Sequence, residues 1–178
     1  MKKFGIETKN GKQIVLRAPE PEDLDMLFTL ENDTDMWEVS SNIIPYSRHR
    51  LEKYIIESSH DLYTDRQIRF IIHSLAPSIP IGCIDLTDID PYNDRAEVGI
   101  AILEQYQGEG VASAALEKLC SYAKDRVHLH DLFAHVPVDN EASRKLFISA
   151  GFEHVGTLKD WLHVAEGYKD VLILQKIL

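Results

Sequence analysis

Apolar and polar positions alternate along residues 95–103. Ala96, Val98, Ile100 and Ile102 share one face, with Glu97, Gly99, Ala101 and Leu103 on the other. That period of two predicts a strand, and the recurrence of Ala112, Ala115, Leu116, Leu119 and Ala123 just beyond predicts a helix. The rest of the chain divides in the same way. Residues 14–18 read as a first strand. Pro19, Glu20 and Pro21 open a helix with Leu24, Leu27, Phe28 and Leu30 on its apolar face. Residues 32–45 are polar and irregular around Trp37, and a second helix starts near Ser47, a suitable N-cap, with Leu51, Tyr54, Ile55 and Ser58 in register. Residues 67–75 and 81–89 read as an antiparallel pair about a turn at 76–80. Residues 90–94, Asp-Pro-Tyr-Asn-Asp, are turn chemistry. A short strand at 132–136, a helix capped by Asp139 or Asn140 and ended by Gly151, and two strands near 152–156 and 171–175 complete the chain. This order predicts a three-layer α/β or α+β domain on a mixed sheet, spanning residues 1–178 as one unit.

Between the strand at 95–103 and the helix after it stands Gln107-Gly108-Glu109-Gly110-Val111-Ala112. A glycine turn that opens a helix presents N–H groups with no partner inside the helix, and these together with the positive end of the helix dipole suit a diphosphate. The run is not a Walker loop, since no Lys-Ser or Lys-Thr follows. It is not a dinucleotide fingerprint either, since Ser113 stands where the third Gly or Ala belongs.

The turn resembles the Q/R-x-x-G-x-G/A motif of the GNAT superfamily of N-acetyltransferases, matched by Gln107, Gly110 and Ala112. Val138-Asp139-Asn140-Glu141-Ala142-Ser143, followed by Leu146-Phe147 and Ala150-Gly151-Phe152, is similar to the family's N-x-x-S/A…GF segment. Leu16-Arg17-Ala18-Pro19 with Glu22-Asp23-Leu24 resembles its first strand and helix. The nearest subgroups by resemblance are the ribosomal-protein alanine and the spermidine N-acetyltransferases. The resemblance implies a mixed, mostly antiparallel central sheet with helices on both faces. It also implies acetyl-coenzyme A as co-substrate and a primary amine as acceptor: a polyamine, a protein N-terminus or another small amine, attacking directly in a ternary complex.

Acyl transfer to an amine needs a base for the amine proton, a donor for the oxyanion and a route out for the thiolate. Glu97 is the candidate base; the bland alternative is a surface carboxylate paired with Arg95 or Arg69. The resemblance implies that this strand splays from its neighbour; N–H groups of the 99–103 stretch would serve the oxyanion, and Gly99 would allow close approach or a bulge. The resemblance makes Ile100, Ala101, Ile102, Gln107, Gly108, Glu109, Gly110, Val111, Ala112, Asn140 and Ser143 the cofactor-binding set. Asn140 reads equally well as a helix N-cap. One departure stands out: where many relatives carry a thiolate-protonating tyrosine, this chain has Phe147. Tyr106 and Tyr168 are the alternative donors, and Phe147 also supports a rival reading, a non-catalytic acyl-coenzyme A sensor.

Composition narrows the partners. The net charge of −10 lacks the basic face that nucleic-acid binding needs, and it favours a cationic substrate. Glu31, Asp33, Asp35 and Glu38 beside Trp37 and Tyr46, with Asp85, Asp88, Asp90 and Asp94 further on, are carboxylates such an amine would meet; a solvated helix end, the reading ranked first, looks the same. No apolar run is long enough for a bilayer and the N-terminus has no secretory pattern, so a cytoplasmic protein is expected. Cys83 and Cys120 have no metal or redox spacing and read as buried thiols. His128 and His130 with His135 lack completing ligands, so no metal is expected. A homodimer or higher homo-oligomer stays open.

Overall fold

The computed structural model describes residues 5–34, 44–57, 61–165 and 167–178. Its strands form one eight-stranded sheet in the order β1-β2-β3-β4-β5-β6-β8-β7. They are β1 (Gly5–Glu7), β2 (Gln13–Arg17), β3 (Ile68–Leu75), β4 (Ser78–Asp90), β5 (Arg95–Ile102), β6 (Asp131–Pro137), β7 (Glu153–Val164) and β8 (Gly167–Ile177). Every neighbouring pair is antiparallel except β5 and β6. The mixed, mostly antiparallel sheet expected from the sequence is present.

Helices cover both faces because successive strand residues point to opposite sides. On one face, α1 (Leu24–Glu31) buries Met26, Leu27 and Leu30 against Ile71 and Cys83, with Ile55 of α2 (Arg48–Glu57) and Ala101 packed alongside. On the other, α4 (Val111–Tyr122) and α5 (Glu141–Ser149) bury Ala115, Leu116, Leu119 and Phe147 against Ile72, Ile84, Leu86, Ala96, Val98 and Leu132. A single turn, α3 (Leu62–Asp65), leads into β3. Local chemistry starts the helices where the sequence placed them. Glu20 makes a capping box with Asp23, whose buried carboxylate takes two hydrogen bonds from Arg17 at 2.6 and 2.7 Å. The Ser47 hydroxyl accepts from the Arg50 N–H at 3.1 Å.

Several boundaries differ from the pattern. The β3–β4 turn is only residues 76–77, so β4 starts at Ser78. Pro80 reads as a breaker in sequence, yet it sits opposite His73 beside a register shift, where a missing N–H is tolerated. The last two strands run longer than 152–156 and 171–175. Register shifts between His154 and Gly156 and between Leu158 and Leu162 break their alternation. Strand β1 was not anticipated, since three residues carry too little pattern to read. Gly99 makes no bulge: β4 and β5 stay in register through Asp85 and Gly99, and the irregularity lies between Thr87 and Asp90, with Asp88 at a φ of 46°.

Candidate active site

Strand β5 pairs with β6 only through Arg95, Ala96 and Glu97, opposite Asp131, Leu132 and Phe133. Beyond Glu97 the two strands part, as expected. Its other edge stays bound to β4: the Leu103 N–H donates to the Ile81 carbonyl at 3.0 Å. Backbone groups alternate in direction along an antiparallel strand. Ala101 and Gly99 share the direction of Leu103 and face β4, whereas Val98, Ile100 and Ile102 face the gap. Of the expected 100–102 set, Ile100 and Ile102 turn main-chain groups into the opening; Ala101, opposite Cys83, does not.

The gap ends at the glycine turn. Gly108 and Gly110 both take left-handed φ, 76° and 77°, which side-chain-bearing residues adopt only at a cost. Gly110 is the N-cap of α4, and the Ala114 N–H makes the first intrahelical bond to its carbonyl at 3.2 Å. The N–H groups of Val111, Ala112 and Ser113 precede that bond and are the orphan donors of the helix end. The Gln107 amide donates to the Ile102 carbonyl at 3.0 Å, fastening the turn to the end of β5. Sequence reasoning missed a contributor here. Lys12, from the β1–β2 turn, lies 2.5 Å from the Glu109 carboxylate and 4.5 Å from the centre of the Tyr106 ring. Glu109 thus carries an ion pair, and Tyr106 lies under a cation.

Glu97 lies on the α1–α2 face and is half-buried. Neither Arg95 nor Arg69 pairs with it: Arg95 reaches Asp90 at 3.2 Å, and Arg69 is held elsewhere. Its Oε1 lies 2.8 Å from His135 Nδ1 on β6. His135 was read among candidate metal ligands. Strand parity gave the better signal, because His135 and Phe133 sit opposite the core residues Leu132, Ala134 and Val136, on the face that carries Glu97.

Three carboxylates of the expected acidic cluster meet cations: Glu31 and Asp85 share Arg69, and Asp90 pairs with Arg95. Arg69 makes three hydrogen bonds of 2.7 to 3.1 Å to Asp85 and one of 2.6 Å to Glu31. Burial pushes the Asp85 carboxyl up against the pull of Arg69. Burial would lower Arg69, but the charge and hydrogen bonds of Asp85, together with Cys83 and Tyr54, raise it overall. Tyr54, 5.4 Å from the guanidinium, is pushed up to about 12 by burial. Asp90 caps its own turn by accepting from the Tyr92 and Asn93 N–H groups, both at 3.1 Å. Asp35, Trp37 and Glu38 lie outside the described residues.

At the start of α5 the Asn140 Oδ1 accepts from the Ser143 N–H at 3.0 Å, so Asn140 is the cap. Asp139 does not share this role. A hydrogen bond from Lys169, 2.8 Å away, holds its carboxyl below the usual range. The Asn140 amide nitrogen makes no bond among the described residues. Phe147 is buried, packed edge-to-face on Phe152 at 5.0 Å. Tyr168 lies on the β7–β8 hairpin against His163 at 5.1 Å. No described helix is long and apolar enough to cross a membrane.

The arrangement is an open strand edge with a carboxylate at one end and an amide-lined turn at the other. Residues 13–153 match the family model described as an acetyltransferase (GNAT) domain, and the chain belongs to the GNAT acetyltransferases, enzymes of the N-acetyltransferase class. A curated relative, the spermidine N(1)-acetyltransferase of Vibrio cholerae, is 27% identical over 161 residues, 90% of this chain and 91% of that one. An uncharacterised N-acetyltransferase, p20, of Bacillus licheniformis is 31% identical over 157 residues, 88% of each. The crystal structure of the Vibrio cholerae spermidine N-acetyltransferase in complex with CoA and spermine superimposes with a TM-score of 0.83 at 27% identity. It covers 92% of this chain and 95% of that one.

Proposed function

We propose that this chain transfers the acetyl group of acetyl-coenzyme A to a primary amine by direct attack in a ternary complex. The parting of β5 from β6 beside Glu97 carries the reading. Pantetheine would lie along the opened edge, with the diphosphate on the N–H groups of Gly108, Glu109, Gly110, Val111, Ala112 and Ser113 and the Asn140 amide beside the arm. The charge that develops on the thioester oxygen would meet an N–H of the free edge, such as that of Ile100. Glu97 would take the amine proton, leaving nitrogen neutral to attack. The C–S bond then breaks and coenzyme A thiolate departs. Because that thiol is only weakly basic, the chemistry demands little protonation at Phe147.

A polyamine is the acceptor class we favour. The net charge of −10 and the likeness to spermidine N(1)-acetyltransferases support it. A homo-oligomer is part of the same reading, since a dodecameric structure is described for the Vibrio cholerae relative. The test pairs a thermal shift with thiol release. Acetyl-coenzyme A at ~100 times its Kd should add about 2.7 kcal/mol of stability. Thiol should then appear with spermidine or spermine in preference to peptide N-termini and aminoglycosides. Tight binding with no thiol release on any amine would overturn the reading in favour of a sensor. Absence of any shift would remove the cofactor altogether.

A further inference from the structure

We propose that His135 is a positioning residue for Glu97, holding one carboxylate oxygen so that the other meets the substrate amine; this rests on Glu97 being the base. Three contacts define the ring. Its Nδ1 lies 2.8 Å from Glu97 Oε1. It stacks on Trp161 with centroids 6.4 Å apart and planes 18° apart, and it meets Phe133 edge-on at 5.7 Å. Rings from β6 and β7 thus flank the imidazole on two sides. It bridges the two strands just where they cease to pair, since Glu97 and Phe133 are the last pair of the β5–β6 ladder.

The chemistry follows from donor count. An ionised carboxylate only accepts, so a neutral His135 facing it carries its proton on Nδ1. That bond occupies Oε1 and leaves Oε2 as the basic atom. In the transfer step one amine N–H bond breaks and its proton forms a bond to Oε2. His135 neither gains nor loses a proton, and Glu97 later returns its own to water. The side chains are 24% and 31% exposed, and His135 lines an open cavity of about 460 Å³ that gives water access. The charged groups around that cavity are Arg66, Asp88, Asp90, Arg95 and Asp131. Arg95 is paired with Asp90, whereas the His135 ring bonds Glu97, which is not among the groups that line the cavity. A carboxylate free to rotate about its terminal torsion would spend much of its time off line, which is what such a bond prevents.

The test uses the full chain with acetyl-coenzyme A and the best amine of the panel. His135→Phe keeps the stack on Trp161 and loses the donor; His135→Asn keeps a donor at the Nδ1 position. His135→Phe should lower kcat by about tenfold or more with the acetyl-coenzyme A KM within about twofold, and His135→Asn should recover most of that loss. In a Glu97→Gln background, His135→Phe should cost nothing further, because the two act as a unit. A wild-type kcat for His135→Phe while Glu97→Gln is impaired overturns the positioning role and leaves the base standing. A fully active Glu97→Gln removes the base itself. Should His135→Phe fail to fold, nitrogen-15 NMR of the wild-type ring decides instead. A proton on Nδ1 that shifts in Glu97→Gln supports the role, and a proton on Nε2 in the neutral ring overturns it.

Discussion

A Cβ built on Gly82 would stand 2.4 Å from the carbonyl oxygen of Ala101. Gly82 pairs with Ile102 across β4 and β5, at the end of β5 where its other edge is free. The strand that opens on one side is therefore held unusually close on the other. The nearest obstacle is main chain and cannot rotate away. Gly82→Ala should cost about 2 kcal/mol or more, in the upper range of overpacking penalties, and should lower the midpoint of urea unfolding. An unchanged midpoint would mean that β5 can shift sideways freely.

The glycine turn gives a second prediction. Gly108 has nothing within 4 Å of a built Cβ, whereas Gly110 would contact Thr8 at 3.8 Å; both hold positive φ. Strain alone, about 1 to 2 kcal/mol, is expected for an alanine at either position. If the turn grips the diphosphate, the alanine variants should also bind acetyl-coenzyme A more weakly by calorimetry. Equal loss of stability with undiminished affinity would separate the turn from the cofactor.

Glu97→Gln keeps the shape and a hydrogen-bonding side chain but cannot take a proton. Turnover should fall by about a hundredfold or more, within the usual range for a lost general base, with little change in the acetyl-coenzyme A KM. The acidic limb of the pH–rate curve should disappear with it. A wild-type profile would dismiss Glu97 as the base.

Phe147 is 3% exposed and packs on Phe152, so Phe147→Tyr places a hydroxyl in apolar surroundings. Stability should fall by about 1 to 2 kcal/mol unless the hydroxyl finds a partner. Turnover should stay within about twofold, because a good leaving thiolate asks little of an acid. A large gain in kcat would show that thiolate protonation limits the natural enzyme.

Burial pushes the Cys83 thiol from its ordinary 9.0 to about 12, and Tyr54 from 10.0 to about 12. Thiolates react and thiols do not, so disulfide reagents should leave the native protein unlabelled at about pH 8 and find two thiols per chain in denaturant. The sign for stability follows. Both groups lose their protons more easily when unfolded, so their contribution is complete below about pH 9 and falls away as pH rises towards the folded values. Urea midpoints should be level to about pH 8.5 and drop above it, less so in Cys83→Ala.

Much of the architecture was legible because burial leaves a periodic trace. The alternation through β5, the helical spacing of Ala115, Leu116 and Leu119 and the caps at Ser47 and Asn140 are local signals, and the structure keeps them. Boundaries slipped where local rules yield to pairing: at Pro80, tolerated beside a register shift, and in β7, where two shifts scramble the alternation.

The sequence by itself determined where a glycine turn opens a helix after a strand and that a carboxylate sits on the face of that strand opposite its core residues. It could do so because φ preference and side-chain parity are properties of a few adjacent residues. Only the tertiary structure decided that β5 leaves β6 after Glu97, that His135 bonds Glu97 across that opening, and that Arg69 pairs with both Asp85 and Glu31. Those facts join residues 38, 16 and 38 positions apart. Separations of that size carry no periodic signature, and their partners are chosen by how the strands stack into the sheet.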